Sequence, residues 1–500
     1  MPNLTLHSPL GGVNRRTDFQ SQPPYTCYDA SNFWSIDGAN KRRRVSTRPG
    51  WALLGSGGAN MFAAINVAAG ESADQQLVKT AGGTFYKWAS GSWSSVTGGT
   101  GMSTAANLAS APFLNKLYIP NHGTPKVYTF VTAGGTLGTF TADFDEEDPP
   151  VALGTVPQDC TLACTWANRI VFAAPSTDPN NWYMSRVDVP GDWRYAADDT
   201  GSPVAGNNIE GGLISEPLTA LIPHNRECII FCTYNGMTVL RGNPTDGGRM
   251  ESISKTVGPV SRNAWCRTAD DWTYMLTRDG LYKMQPGCGS NPFQVSRKKI
   301  PQNLLAIDPD DDDVSMAYCP LFGGIYIEIN GATDTAWWYD LEYEAFWPWT
   351  PLGATAMMRF APEETTTTSG LLVGTATSIS RLNTATALGQ TFFATMGPFK
   401  MSKNRRDKSI IAGATAVFGD TTTDTTGTVN FYGAEDAETV IGLPTGRKYT
   451  AAVSTFNRGD VHPRIGGHAG YITYVVGSTA KHVSIEEMNL DIKPAGRERK

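Results

Sequence analysis

The sequence predicts an all-β protein: a β-propeller of short antiparallel blades, preceded by an N-terminal arm and followed by a C-terminal β-sandwich-like domain. Composition is the first reason. The 500 residues include 52 glycines and 31 prolines, and only 18% are charged, a turn-rich balance foreign to helical bundles. The second reason is a strand–turn–strand grammar repeated along most of the chain. The third is a change of character after residue 390, where strands lengthen and alternate apolar with polar residues.

Residues 1–50 are polar, rich in Pro and Gly, and contain no helical period. They are expected to form an extended arm lying across other subunits. The arm ends in NKRRRVSTRPGW (40–51), the densest positive charge in the chain. Nucleic-acid affinity rests on neutralising phosphates, so a dedicated binder is normally basic. Here 41 Lys and Arg stand against 47 Asp and Glu, a net charge of −6. The basic run is therefore a local feature on an acidic body, and a subunit contact is the favoured reading over a grip on DNA.

Residues 51–390 are expected to form the propeller. Apolar runs bounded by Gly, Pro, Asn or Asp recur at 74–88, 111–130, 167–186, 225–242, 270–284, 321–349 and 370–383. TAGGTFYKW, RDGLYKM and TATSISRL read as one hairpin with different turn residues. The units lie roughly 30–60 residues apart, the repeat expected of propeller blades. IPQNLLAIDPDDDD (300–313) is the longest helix-like stretch, one or two turns before Pro309. Residues 391–500 are expected to form the C-terminal β domain. In SIEEMNLDI, Ile485, Met488, Leu490 and Ile492 are apolar, the last three on one face, as in a half-buried antiparallel strand.

Several function classes find little support. The first residues lack the apolar core of a signal peptide, and no apolar run is long enough to span a bilayer as a helix. Cys160/Cys164 and Cys228/Cys232 are spaced by four, about 13 Å along a strand, beyond disulfide reach. They are expected to be reduced core residues. Aspartate boxes, a phosphate loop, a nucleophile elbow and paired metal-ligand spacings are all lacking. His462 and His468 flank a Pro-Arg-Ile-Gly-Gly turn and read as turn residues. The run Asp310, Asp311, Asp312 and Asp313 lacks the alternation, Gly and terminal Glu of a calcium loop, and is expected to form an acidic channel or rim. In AWWYDLEYEAFWPW (336–349), Trp337, Tyr339, Leu341 and Tyr343 alternate with Trp338, Asp340, Glu342 and Glu344, as in a hairpin with one core face. No catalytic residue, metal or cofactor is expected.

Four stretches together resemble the tail nozzle (tail tubular protein B, or tail hub) family of short-tailed bacteriophages. The first is YDASNFWSIDGANKRRRVSTRPGW (28–51), with Asn32, Asp37-Gly38, Arg42–Arg44 and Arg48-Pro49-Gly50 placed before the first blade. ANRIVFAAPSTDPNNWYMSRVDVPGDW (167–193) resembles a blade with its Pro-Asn-x-x-Tyr-x-Ser segment. WWYDLEYEAFWPW (337–349) resembles a later hairpin. STFNRGDVHPRIGGHAGYITY with SIEEMNLDIKPAGRER resembles the C-terminal end. No one motif is diagnostic; their order carries the likeness.

The resemblance implies a virion structural protein made in the host cytoplasm. It would form a ring, usually a hexamer of itself, below the tail adaptor protein, with fibres or spikes near that junction. Genomic DNA would pass through without sequence-specific binding, and no membrane insertion is implied. A conduit should hold DNA weakly, since each neutralised phosphate adds affinity; a mildly acidic body suits that. The basic segment then belongs at a subunit or ring contact, where Arg meets carboxylates bidentately. The expected contact residues are Arg42, Arg43, Arg44 and Arg48 of the arm and Arg458, His462 and Arg464 near the C-terminus. Pro49-Gly50 is expected to turn into the first blade, with Trp51 anchored in the core. The alternative is a propeller that binds or hydrolyses host receptor glycans.

Overall fold

The fold is taken from a computed structural model. It describes residues 3–17, 22–38, 40–56, 60–66, 74–89, 92–105, 108–131, 134–145, 151–196, 199–206, 214–287, 291–300, 307–308, 312–331, 334–360, 370–386, 390–402, 407–419, 427–437, 448–453, 458–476 and 482–497.

The chain opens with β1 (Asn3–His7), β2 (Cys27–Ser31), β3 (Phe33–Asp37), β4 (Arg42–Thr47) and β5 (Pro49–Ser56). After β5 come the blades. Five four-stranded sheets and one eight-stranded sheet that divides in two give seven blades among the described residues. Their first strands are Asn60–Asn66, Ala111–Phe113, Cys160–Trp166, Leu218–Asn225, Trp265–Arg267, Asp313–Cys319 and Ala354–Phe360. The first strand of the seventh blade lies beside that of the first, which closes the ring.

Closure uses an exchanged strand. The seventh blade takes its fourth strand from β5, which pairs antiparallel with Ser378–Thr386. β5 therefore does not enter the first blade, as Pro49-Gly50 suggested; it locks the two ends of the propeller together. Trp51 lies on this strand, half-buried, 5.3 Å from the Tyr326 ring.

The predicted hairpins are present. Ala81 faces Thr84, Thr277 faces Gly280, and Gly374 faces Ile379. Each hairpin joins the second and third strands of its blade. A second strand packs between neighbouring blades on both faces, so it reads as continuously apolar rather than alternating. CIIFCT (Cys228–Thr233) and TYMLT (Thr273–Thr277) are buried at every position. The first strand Cys160–Trp166 instead alternates buried with half-buried residues.

The N-terminal arm is not extended over other subunits. It is woven into the C-terminal domain as paired strands. β1 pairs with Ser484–Arg497, from Asn3 opposite Asp491 to His7 opposite Glu487. β2 pairs with Phe392–Lys400, and β4 with Ser484–Arg497. A buried backbone must satisfy its polar groups, and here the partners lie more than three hundred and fifty residues away, beyond the reach of local periodicity. Two sheets result. One runs β3, β4, Ser484–Arg497, Asp407–Phe418, Arg458–Val461; the other runs β2, Phe392–Lys400, Ala469–Val476, Gly427–Ala434, Lys448–Val453. Ile411, Met488 and Leu490 of the first share a core with Val429, Phe431 and Ile472 of the second.

Ile485, Met488, Leu490 and Ile492 are all buried. Simple alternation would turn Ile485 outward. A bulge at Glu486 corrects the phase, since Val417 faces Glu487 while the next residue, Phe418, faces Ile485. Cys160, Cys164 and Cys232 are free and buried, but Cys228 is disulfide-bonded, which overturns its reading as a reduced core thiol. Of the helix-like stretch 300–313, residues 301–306 and 309–311 lie outside the described residues.

Candidate functional site

The basic segment is where sequence and structure part most sharply. β3 and β4 form a hairpin with Asp37 opposite Arg42 and Ile36 opposite Arg43. Arg44 turns inward onto Asp37, whose carboxylate is wholly buried. Arg44 Nη1 also lies 2.7 Å from Glu486 Oε1, on the bulge of the C-terminal sheet. His482 Nε2 approaches the other Asp37 oxygen at 2.8 Å.

Arg43 reaches the propeller instead. Its Nη1 donates to Asp340 Oδ2 at 3.0 Å, its Nη2 pairs with Glu342, and the guanidinium lies over the Tyr343 ring. Asp340 is fully buried, accepts from Ser35 Oγ, and takes the backbone N–H of Glu342 at 2.9 Å and of Tyr343 at 3.1 Å. The alternation that put Asp340 on a polar face is therefore overturned: Trp338 and Asp340 are as deeply buried as Tyr339. The sixth blade is covered on that face by the N-terminal strands, and Trp34 stands edge-on to Trp338 at 5.7 Å.

Arg48 is the deepest of the set, 1% exposed. Its Nε donates to Asn32 Oδ1 at 2.8 Å and its guanidinium lies 5.2 Å from the Trp349 ring centre. Burial lowers its pKa to about 10, opposed by Tyr326 and Glu328, so it stays charged at neutral pH. Glu328 is fully buried and completely answered. It accepts from Tyr326 Oη at 2.6 Å and from the N–H groups of Leu352, Gly353 and Ala354. Asn32, held at φ 57°, binds Thr350 and the Thr391 carbonyl through one amide. It thus links the arm, the sixth-to-seventh blade connection and the start of the C-terminal domain.

These arginines form a joint inside one chain. Arg44 and Arg48 are buried and so not available for the subunit contact expected of them, and Arg43 meets its two carboxylates within the chain. Arg42 alone of the four is exposed. The sequence offered Asp37 and Asn32 within the same stretch, but Asp340, Glu328 and Glu486 lie hundreds of residues away and carry no local signal.

The C-terminal set is partly gathered. His462 and Arg464 are exposed. His462 lines a surface cleft of about 440 Å³ with Asp460, Asn489, Asp491 and Lys493. Arg458 pairs through its backbone with Val417, and its side chain lies outside the description. Asp310 and Asp311 also lie outside the described residues. Asp312 closes its own loop, its Oδ2 accepting from Asp308 N–H at 2.9 Å. Asp313 begins the first strand of the sixth blade and is exposed there.

A second polar feature lies on the propeller axis. The first strands of five blades line a cavity of about 400 Å³. Its walls are largely apolar, Leu108, Leu162, Leu221 and Met358 among them, and Arg262 is its one charged lining group among the described residues. Burial lowers the Arg262 pKa to about 9, with Asp313 opposing. Nothing in the sequence marked Arg262. Among the described residues no three His, Cys, Asp or Glu side chains group as metal ligands, and no helix is long and apolar enough to cross a membrane.

No family model matches the chain, and no curated protein matches it. Similar solved structures include the mitotic checkpoint complex, at 8% identity and a TM-score of 0.37, covering 66% of this chain and 97% of that one. The extracellular domain of a hybrid two-component system from B. thetaiotaomicron gives 13% and 0.44, covering 69% and 41%. YCF48 bound to D1 peptide gives 11% and 0.38, covering 67% and 98%. Likenesses this loose carry no argument, and the propeller rests on strand pairing and ring closure.

Proposed function

We propose that this chain is a structural subunit of a short-tailed phage virion, one member of the ring-shaped tail nozzle through which DNA leaves, and that it performs no catalysis itself. One observation carries the reading. Three of the four stretches that resemble the nozzle family, 28–51, 337–349 and the strand from Ser484, meet at a single joint, through Arg43–Asp340, Arg44–Glu486 and Trp349 Nε1 donating to the Phe33 carbonyl. Residues that look alike for one structural reason are expected to lie together. The net charge of −6 also suits a surface that lets DNA slide.

The joint changes where a ring contact belongs. Arg42, His462 and Arg464 remain exposed and become the contact candidates toward a second copy or the adaptor. Arg42→Glu with Arg464→Glu is expected to block assembly into particles while the isolated chain melts at its usual temperature. Gold-labelled antibody against the chain, imaged on intact particles, tests the reading itself. Gold at the distal end of a short tail is the expected result. Gold on peripheral appendages would favour the glycan-acting alternative, and unlabelled particles beside a reactive denatured control would reject a virion role.

A further inference from the structure

The axial cavity holds a cation without a partner. Arg262 makes no hydrogen bond or ion pair to any described residue, and its Nε is buried with no acceptor. A guanidinium has five N–H donors in a fixed fork; Arg262 is half-buried, and its Nε donor is left unanswered away from water, which is costly. The other arginines of the interior are answered: Arg169 donates to the Ser185 and Ser202 carbonyls, and Arg48 to Asn32.

The surroundings narrow what could answer Arg262. The cavity, about 400 Å³, falls within the range of small-molecule sites, about 300–1,000 Å³. Its walls come from rigid first strands, and they offer leucine, methionine and Trp265 rather than further cations. Burial first, and then the charge of Arg262, hold the His122 imidazole below its ordinary value, and its buried Nε2 also lacks a partner. Asp313 faces the guanidinium from the next blade, from an exposed position. It tempers the charge without occupying the fork.

We infer that the propeller axis is a binding site for a small carboxylate with an apolar body, its carboxylate held by the Arg262 guanidinium and its body by the leucines and methionines of the first strands. A free inorganic anion would leave the apolar wall unused. A neutral amphiphile would leave the guanidinium unanswered. The site stands independently of the nozzle reading, because it needs only one folded chain.

Calorimetric titration of the full chain tests it with octanoate, octanol and inorganic phosphate as probes. Octanoate is expected to bind at least tenfold more tightly than either of the others. Arg262→Gln should reduce octanoate to the level of octanol. Asp313→Asn, at an exposed position, should tighten octanoate severalfold by removing the competing charge. This second variant keeps the test alive if Arg262→Gln fails to fold. Octanol matching octanoate, phosphate matching octanoate, or affinity unchanged in Asp313→Asn would each overturn the assignment. So would no octanoate binding at concentrations up to roughly 10 mM, a free energy weaker than about 3 kcal/mol.

Discussion

Arg48 is fully buried and Arg262 half-buried, and burial lowers both, to about 10 and about 9. Their surroundings are opposite. Arg48 has Asn32, the Trp349 face and the nearby Glu328; Arg262 has an apolar cavity and a carboxylate at its margin. A buried charge with its partners assembled fastens pieces of chain together. A buried charge without them costs stability and leaves a vacancy for a ligand. The joint therefore belongs to the architecture, and the axis to recognition.

The largest effects should come from breaking the joint. Asp37→Ala strands Arg44 and the Asp37 side of His482 in a buried place, and should cost about 3–5 kcal/mol in chemical denaturation. Arg48→Met removes the donor to the Asn32 amide oxygen and the positive charge near the buried Glu328, and should cost less, about 1–3 kcal/mol. The same change at the axis should have the opposite sign. Arg262→Met removes a charge with no partner to strand, and should leave stability unchanged or raise it by about 1 kcal/mol. A loss of several kcal/mol at Arg262 would erase the contrast between the two regions.

Acid provides a smaller effect from a third buried group. His224 is held below its ordinary value first by burial and then by Arg267, against Asp271 and the Gly287 N–H that it accepts. Its unfolded pKa is about 6.5. As pH falls below that value the unfolded chain takes up the proton first, so stability present above it is lost on acidification. His224→Gln should flatten part of the fall in melting temperature on acidification below roughly pH 6.5. Smallest of all, Arg42→Glu sits outside the joint and should change stability by less than about 0.5 kcal/mol.

Much of the architecture was visible in short-range pattern. Gly-Gly, Asp-Gly and Ala-Thr turns between apolar runs marked the second and third strands of three blades, because a hairpin is set by residues that are neighbours in the chain. The exchanged strand was invisible, since PGWALLGS reads the same whether it starts the first blade or finishes the seventh. The arm misled for a related reason. Its strands are short, and their partners sit at the far end of the sequence. Asp340 misled differently: alternation assumes one wet face, and here the arm covers it. KRRR was legible as charge but not as destination. The second signal was Asp37, already in the same hairpin. A carboxylate on the strand paired with an arginine run is what an internal joint requires, and Glu486 on its bulge completes it.

The central claim is that the arginine-rich segment is spent inside the chain. A double-mutant cycle on Asp37 and Arg44, Asp37→Ala, Arg44→Met and both together, followed by denaturant unfolding, tests it most directly. The joint predicts a coupling of at least about 1 kcal/mol, with the double mutant more stable than the sum of the single losses implies. Losses that add to within about 0.3 kcal/mol would mean the two residues do not meet in solution, and would return Arg44 to the surface.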